Sequence, residues 1–515
     1  MLPTSRTPLR LAAIAGLGLL SPAAAAEDAP TVIPATEAPA SITVPAAPSA
    51  ANPSQPAAEP AAPTPAAPAS SAGAEGAQPN PLENRVRELE DTVRQLLGTI
   101  DTLQKLPPKP ADSAQVEKIV DDKLKKQKPL AGWNNGFFVE SQDGNFRLRL
   151  RALLQVDQRA FTGKAGRTGV DSFFLRRVRP IVEGTVYKHI DFKLVPDFAG
   201  GAASLQDAYL DFRYYPQASL RVGKFKEPVS LERLQSGSEL HFIERSIAQN
   251  LAPNRDVGLQ FYGDLLGNTL TYYAGLFNGV NDSASTEGDV DNDKDFAGRL
   301  FYQPFKNRPG HFAEGLGVGF GASIGEREEP LGATLRTAGR SGFFRYQGGA
   351  DPAAGSGTHT RFSPGFYFFK GPVGLMGEYI TSSQEVERLG VRDKIKNDGY
   401  FLQATYVLTG EKASFRGVVP RKEFDPRKGQ WGAFELGARY SRINFDDDVF
   451  NRGFADAATA VGSANELTFG LNWYLNRAVK IQLNYVRTNF DRSIPFGATA
   501  TDHEDVFLSR FQLAF

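Results

Sequence analysis

The sequence predicts an all-β fold: a 16-stranded antiparallel transmembrane β-barrel, preceded by a disordered Ala/Pro linker and a short α-helical coiled coil. Two observations lead there. From Gly136 onward, segments of roughly ten residues alternate apolar and polar, with Gly, Asn, Asp and Pro between them. In ELTFGLNWYL, Leu467, Phe469, Leu471, Trp473 and Leu475 share one face, while Thr468, Gly470, Asn472 and Tyr474 share the other. The connections also alternate in length. Tight turns at YKHI, YPQAS, GDLLGN, KGPVG and LNRAV alternate with long segments at 226–254, 277–293, 326–358, 383–397 and 445–464. Short turns at one end and long loops at the other mark a barrel. The connection 410–430 breaks the rule, being long on the short side, and 305–315 is intermediate.

In chain order, Arg6 and Arg10 precede the apolar run Leu11–Leu20 and then SPAAAA. That is a signal peptide, residues 1–26. Its apolar run is too short to span a bilayer, and no later run is long enough for a transmembrane helix. Residues 27–81 are mostly Ala, Pro, Ser and Thr and have little to bury, so a disordered linker is expected. In 82–106, Leu82, Val86, Leu89, Val93, Leu96, Ile100 and Leu103 recur at spacings of four and three. This heptad seam predicts a coiled coil, with a single amphipathic helix on a core as the alternative. Pro107–Pro110 ends the helix, and 107–135 reads as a connector with one short helix. The barrel then occupies 136–515. Its predicted strands are 145–159, 172–187, 189–197, 205–215, 218–225, 255–263, 268–276, 294–304, 316–325, 359–370, 373–382, 398–409, 431–444, 465–475, 478–489 and 505–515. An even count returns both ends of the wall to one side, and sixteen strands leave an aqueous lumen.

Lys and Arg together number 58, equal to Asp plus Glu, so a nucleic-acid partner is not expected and any electrostatic function must be local. There is no cysteine, and the five histidines are isolated. Neither a metal centre nor another cofactor is expected, and no nucleophile, histidine and acid set supports an enzyme. The local arrangement is clear in NFRLRLRALLQV. If Leu148, Leu150, Leu154 and Val156 face lipid, Arg147, Arg149 and Arg151 face the lumen. In FLRRVRPIVEGTV the same count turns Arg177 and Arg179 inward, with Glu183 below them and Arg176 out of phase at the rim. Arg213, Arg299, Arg361 and Arg439 join them by parity. A row of arginines suits phosphate or carboxylate groups, since each guanidinium offers two parallel donors. The competing reading pairs them with Glu183, Asp207, Asp211 and Glu435 as a structural network. Lys224, Lys226 and Arg233 open the 226–254 loop, which either narrows the pore or stays outside.

LQDAYLDFRYYPQASLRVGKFKEPVSLERLQS, HFIERS, WGAFELGARYSRI and GLNWYLNRAVKIQLNYVRT resemble the phosphate-selective porin O and P family, and the resemblance runs from about Asn145 to Phe515. The final SRFQLAF resembles the assembly signal of bacterial outer-membrane proteins. The family resemblance implies a trimeric outer-membrane porin with an arginine ladder and a loop-narrowed eyelet. It matches Arg176 and Arg177 to the family's paired arginines near the eyelet, Arg151 to its first-strand arginine, Asp207 and Arg245 to an acidic residue and an arginine of the eyelet, and one family lysine to Lys396. Two other family lysines fall on Ser238 and on the acidic stretch Glu385–Glu387. The expectation is therefore passive diffusion of small anions, phosphate-like or other, through a homotrimer in outer-membrane lipid. The N-terminal segment would lie in the periplasm, where 27–130 could touch the cell wall. A barrel-anchored tether and a non-selective porin are the alternatives.

Overall fold

The computed structural model describes residues 81–104, 130–162, 169–289, 291–496 and 499–515. The expected signal peptide, the linker short of Pro81 and most of the connector lie outside them. A helix, α1 (Pro81–Gln104), forms one compact unit. Its seam residues Val86, Leu89, Val93, Leu96 and Ile100 are exposed in the single chain. None of the described helices is long and apolar enough to cross a membrane.

The second unit is the barrel. A hairpin comes first, β1 (Ala131–Trp133) and β2 (Phe137–Glu140). The wall follows as β3 (Arg147–Phe161), β4 (Ser172–Val186), β5 (Ile190–Asp197), β6 (Ser204–Tyr215), β7 (Ala218–Lys226), β8 (Arg255–Leu265), β9 (Leu270–Phe277), β10 (Asp295–Tyr302) and β11 (Leu316–Arg327). After a small loop hairpin, β12 (Leu335–Arg336) and β13 (Gly342–Phe344), it continues as β14 (Ala354–Lys370), β15 (Val373–Arg388), β16 (Val391–Val407), β17 (Ala433–Asn444), β18 (Ser463–Tyr474), β19 (Val479–Phe496) and β20 (Thr499–Ala514). Each wall strand pairs antiparallel with the next, and β20 pairs with β3 from Val506↔Phe161 to Ala514↔Leu153. The sixteen wall strands thus close on themselves, which satisfies the backbone without water.

The hairpin was not foreseen. Phe515 bonds Ala152 through both backbone groups, and β2 takes over the same edge of β3 at Leu150. Trp133, Phe137 and Phe515 cluster at that junction, with ring centroids 4.7–6.1 Å apart.

Two connections depart from the expected pattern. The segment 383–397 is not a loop: β15 and β16 run on and meet in a two-residue turn at Leu389 and Gly390, both with positive φ. There the alternation inverts. Val386 and Ile395 point inward against the loops, and Glu387 and Lys394 point outward. The strand has left the lipid, so charge outside and grease inside is the favourable arrangement. The exceptional connection 408–432 enters the barrel from the other end. Phe415 meets Tyr367 at 5.4 Å, and its carbonyl accepts from Gln235 Nε2 at 2.6 Å.

Gln235 belongs to the 227–254 connection, which folds into the barrel and is largely buried. Glu378 of β15 anchors its start. That carboxylate accepts from the backbone N–H of Leu231 (2.7 Å) and Glu232 (3.0 Å), Ser230 Oγ (3.2 Å) and Gln249 Nε2 (3.1 Å). Wall side chains then donate to carbonyls along the loop: Gln155 to Gly237, Lys480 to Leu240, Asn472 to His241 and Arg510 to Ile243. The wall is glycine-rich where the loop lies. A Cβ at Gly470 would sit 3.1 Å from the Phe242 ring, and one at Gly321 would sit 2.0 Å from the Val229 carbonyl oxygen. Above, Ile247 and Leu251 share a core with Phe343, Phe344 and Phe445 from two further loops.

Glu378→Ala removes the acceptor for four loop donors. Each bond to a charged group is worth about 1.5–3 kcal/mol, and bonds sharing one carboxylate do not add in full, so loop anchoring weakens by about 3 kcal/mol or more. The expected outcome is a larger, noisier single-channel conductance with the barrel still resistant to unfolding, read in planar bilayers and by circular dichroism.

Candidate functional site

With 227–254 packed on β10, β11 and β14–β20 and on Gln155 of β3, the open interior lies toward β3–β8. Three cavities lined by described residues occur there. The one at the loop end, ≈ 280 Å³, and the middle one, ≈ 650 Å³, share Arg176, Arg233, Arg245 and Arg340. The third, ≈ 330 Å³, sits at the end carrying β1 and β2.

The middle cavity is lined by seven arginines and one lysine against a single carboxylate, Asp197. A register shift in β4 supplies two of the cations. Gln155 of β3 faces Arg177, whereas Val156 faces Leu175, which leaves Arg176 as the extra residue of a bulge. Adjacent residues of a regular strand point to opposite faces, but this bulge turns Arg176 and Arg177 to the same one. Arg176 therefore stands inside, not at the rim. Arg179 follows on β4, Lys226 and Arg255 come from the two strand ends flanking the loop, Arg233 and Arg245 from the loop, and Arg340 from a second loop. Arg340 is held at φ 67° in a turn where Thr337 N–H donates to Ser341 O and Arg340 N–H to Thr337 O.

Three of the eight have carboxylate partners: Arg176 with Glu244 (2.6 Å), Arg179 with Asp197 (2.8 Å) and Arg255 with Asp207 (2.7 Å). The described residues give none to Arg177, Lys226, Arg233, Arg245 or Arg340. Arg177 donates to the Gln155 side chain, Lys226 to Gln235 O, Arg233 to Gln249 O, and Arg245 to Glu232 O and Gln235 O. Burial and then the neighbouring Arg233 pull Arg245 down to about 9, and burial lowers Arg233 to about 10. Both stay charged at neutral pH. A site that makes cations uncomfortable is one that an anion relieves.

The third cavity is nearer to charge balance. Arg147, Arg149, Lys193 and Arg213 line it with Glu183, Asp191 and Asp211. Arg149 and Arg151 share Glu183 at 3.2 and 3.7 Å, Arg213 pairs with Asp191, and Arg147 lies 3.8 Å from Glu140. All three β3 arginines stand on the interior face, while Leu148 and Leu150 are 41% and 48% exposed on the other.

Other expected residues divide differently. Asp207 lies inside as the partner of Arg255 and, at 3.7 Å, of Lys193. Arg299, Arg361 and Arg439 are interior but buried, and they fasten loops instead of facing a cavity. Arg299 donates to Val229 O, Arg361 pairs with Asp282, and Arg439 bridges Glu232 and Glu466. Glu435 holds His241 of the inward loop. Lys396 stands apart, on the outer, exposed side of the β15–β16 extension between inward Ile395 and Asn397. Sequence reasoning missed Arg255 and Arg340. Two consecutive arginines inside an alternating strand were the one available signal of the bulge.

Residues 146–515 match the family described as phosphate-selective porin O and P. Porin O of Pseudomonas aeruginosa is 27% identical over 404 residues, covering 74% of this chain and 91% of that protein. Among solved structures, the outer membrane channel DcaP of Acinetobacter baumannii aligns with TM-score 0.46 and 10% identity over 73% of this chain and 99% of its own. An anion-selective porin from Comamonas acidovorans aligns with TM-score 0.45 and 11% identity over 72% and 100%. The chain is an outer-membrane porin and belongs to the phosphate-selective porin O and P family.

Proposed function

We propose that this porin passes small anions, phosphate-like or carboxylate, by passive diffusion through the arginine-lined interior. The observation that carries the reading is the middle cavity, where four arginines and one lysine, without a carboxylate partner among the described residues, converge on one space. An anion entering a narrow pore loses hydration. Guanidinium groups replace it with fixed donors at no cost of reorganisation. Exit requires that binding weaken further on, and the charge-paired third cavity supplies that step down. Phosphate specificity in particular is not part of the proposal, because Ser238 and Glu385–Glu387 stand where the specialists are expected to carry lysine.

The assembly proposed is a homotrimer with the α1 helices in the periplasm, and the exposed seam of α1 supports self-association there. A tether to the cell wall through 27–130 is the alternative role for that segment.

Two measurements test these readings. In a salt gradient the reversal potential is expected to report anion preference. Arg177→Ala or Arg245→Ala is expected to reduce it with the fold retained. One charge at contact in a water-filled site is worth roughly 1 kcal/mol, so the loss is about fivefold in the permeability ratio. A cation-preferring parent channel would overturn the proposal. Deleting 27–130 is expected to leave single-channel conductance unchanged, and loss of conductance would make that segment part of the pore.

A further inference from the structure

We propose that the outer face at the foot of β17 and β18 is a binding site for the headgroup of an anionic phospholipid. Phe434 and Trp473 point outward there, alternating with the inward Glu435 and Asn472. Phe424, from the 408–432 connection, comes back out to meet them. Its ring stands edge-on to Trp473 at 5.1 Å and 5.9 Å from Trp431, and its N–H donates to Leu475 O at 2.7 Å. The Trp473 indole donates to Trp431 O at 2.6 Å, which fixes the second ring, and Trp431 remains 58% exposed. Four aromatic rings at the end of two wall strands are what a membrane–water interface selects.

The second observation is charge. Directly between Phe424 and Trp431 the chain turns through Asp425–Gln430, presenting Arg427 and Lys428 with 88% and 69% of their side chains exposed. One carboxylate, Asp425, serves both at 3.1 Å. Lys422 is exposed on the same segment, and Arg477 is exposed on the β18–β19 turn beside it. A basic tip below an aromatic patch on a lipid-facing wall matches a phosphate-bearing headgroup whose acyl chains lie along the strands. The inference uses only the membrane barrel and is independent of what passes through the pore.

The chain has three tryptophans, so Trp133→Phe leaves Trp431 and Trp473 as reporters of this patch alone. The full chain carrying that change is reconstituted in phosphatidylcholine vesicles containing a minor fraction of brominated phosphatidylglycerol or, separately, brominated phosphatidylcholine. The expected result is quenching with a relative affinity for the glycerol lipid of roughly fivefold or more, the preference one basic residue supplies beside an anionic headgroup. Lys422→Gln, Arg427→Gln, Lys428→Gln and Arg477→Gln together should bring the ratio to about one while quenching persists. Equal quenching by both lipids in the starting protein, or a preference that survives the fourfold change, would overturn the site. Quenching by neither lipid would also overturn it, by showing that another copy of the chain covers this face.

Discussion

A residue in the wall of this barrel has two environments to choose from, lipid and interior, and its parity along the strand decides which. Placing a guanidinium on the lipid side costs about 2–4 kcal/mol near the membrane midplane. Once Leu148, Leu150 and Leu154 are committed outward, Arg147, Arg149 and Arg151 have only the inside. The accumulation of arginine in the interior follows from that constraint. What each arginine then does depends on whether a carboxylate or a folded loop reaches it.

The inward loop sorts them. Where 227–254 lies against the wall, the wall cations become fasteners: Arg439 is spent on Glu232, and Arg510 on Asp157 and a loop carbonyl. Where the loop leaves the wall free, its own Arg233 and Arg245 look across to Arg176, Arg177 and Arg179. The same element therefore fills the lumen beside the later wall strands and contributes Arg233 and Arg245 to the positive cavity on the other side. The 408–432 segment, entering from the opposite end, reaches the loop at Gln235. The loop is consequently held between Glu378 on the wall and Phe415 beneath.

The wall was legible in the sequence because lipid enforces a two-residue period on residues such as Leu467, Phe469 and Trp473. Where the lipid stops, the enforcement stops too. The β15–β16 extension reads as loop because Val386 and Ile395 have turned to the inside while Lys394 and Lys396 have turned out. Parity counted back from the inward Gln403 already puts Lys396 outside, so the motif match and the periodicity disagreed at that residue. The bulge at Arg176 shifts the count by one, which a regular alternation cannot anticipate. Arg340 belongs to a loop with no period at all, and its place in the cavity depends on a left-handed turn and on contacts distant in sequence.

The chain has no cysteine, so single cysteines test directly whether parity turns Arg149 and Arg177 toward a water-filled interior, anion-attracting at Arg177, and Leu148 toward lipid. Single cysteines at Arg149, Arg177 and Leu148 in the reconstituted channel would be exposed to anionic and cationic methanethiosulfonates while current is recorded. Arg149→Cys and Arg177→Cys are expected to react, with the anionic reagent faster at position 177, and Leu148→Cys to react with neither. Modification at 148 with protection at 149, or a faster cationic reagent at 177, would contradict that placement.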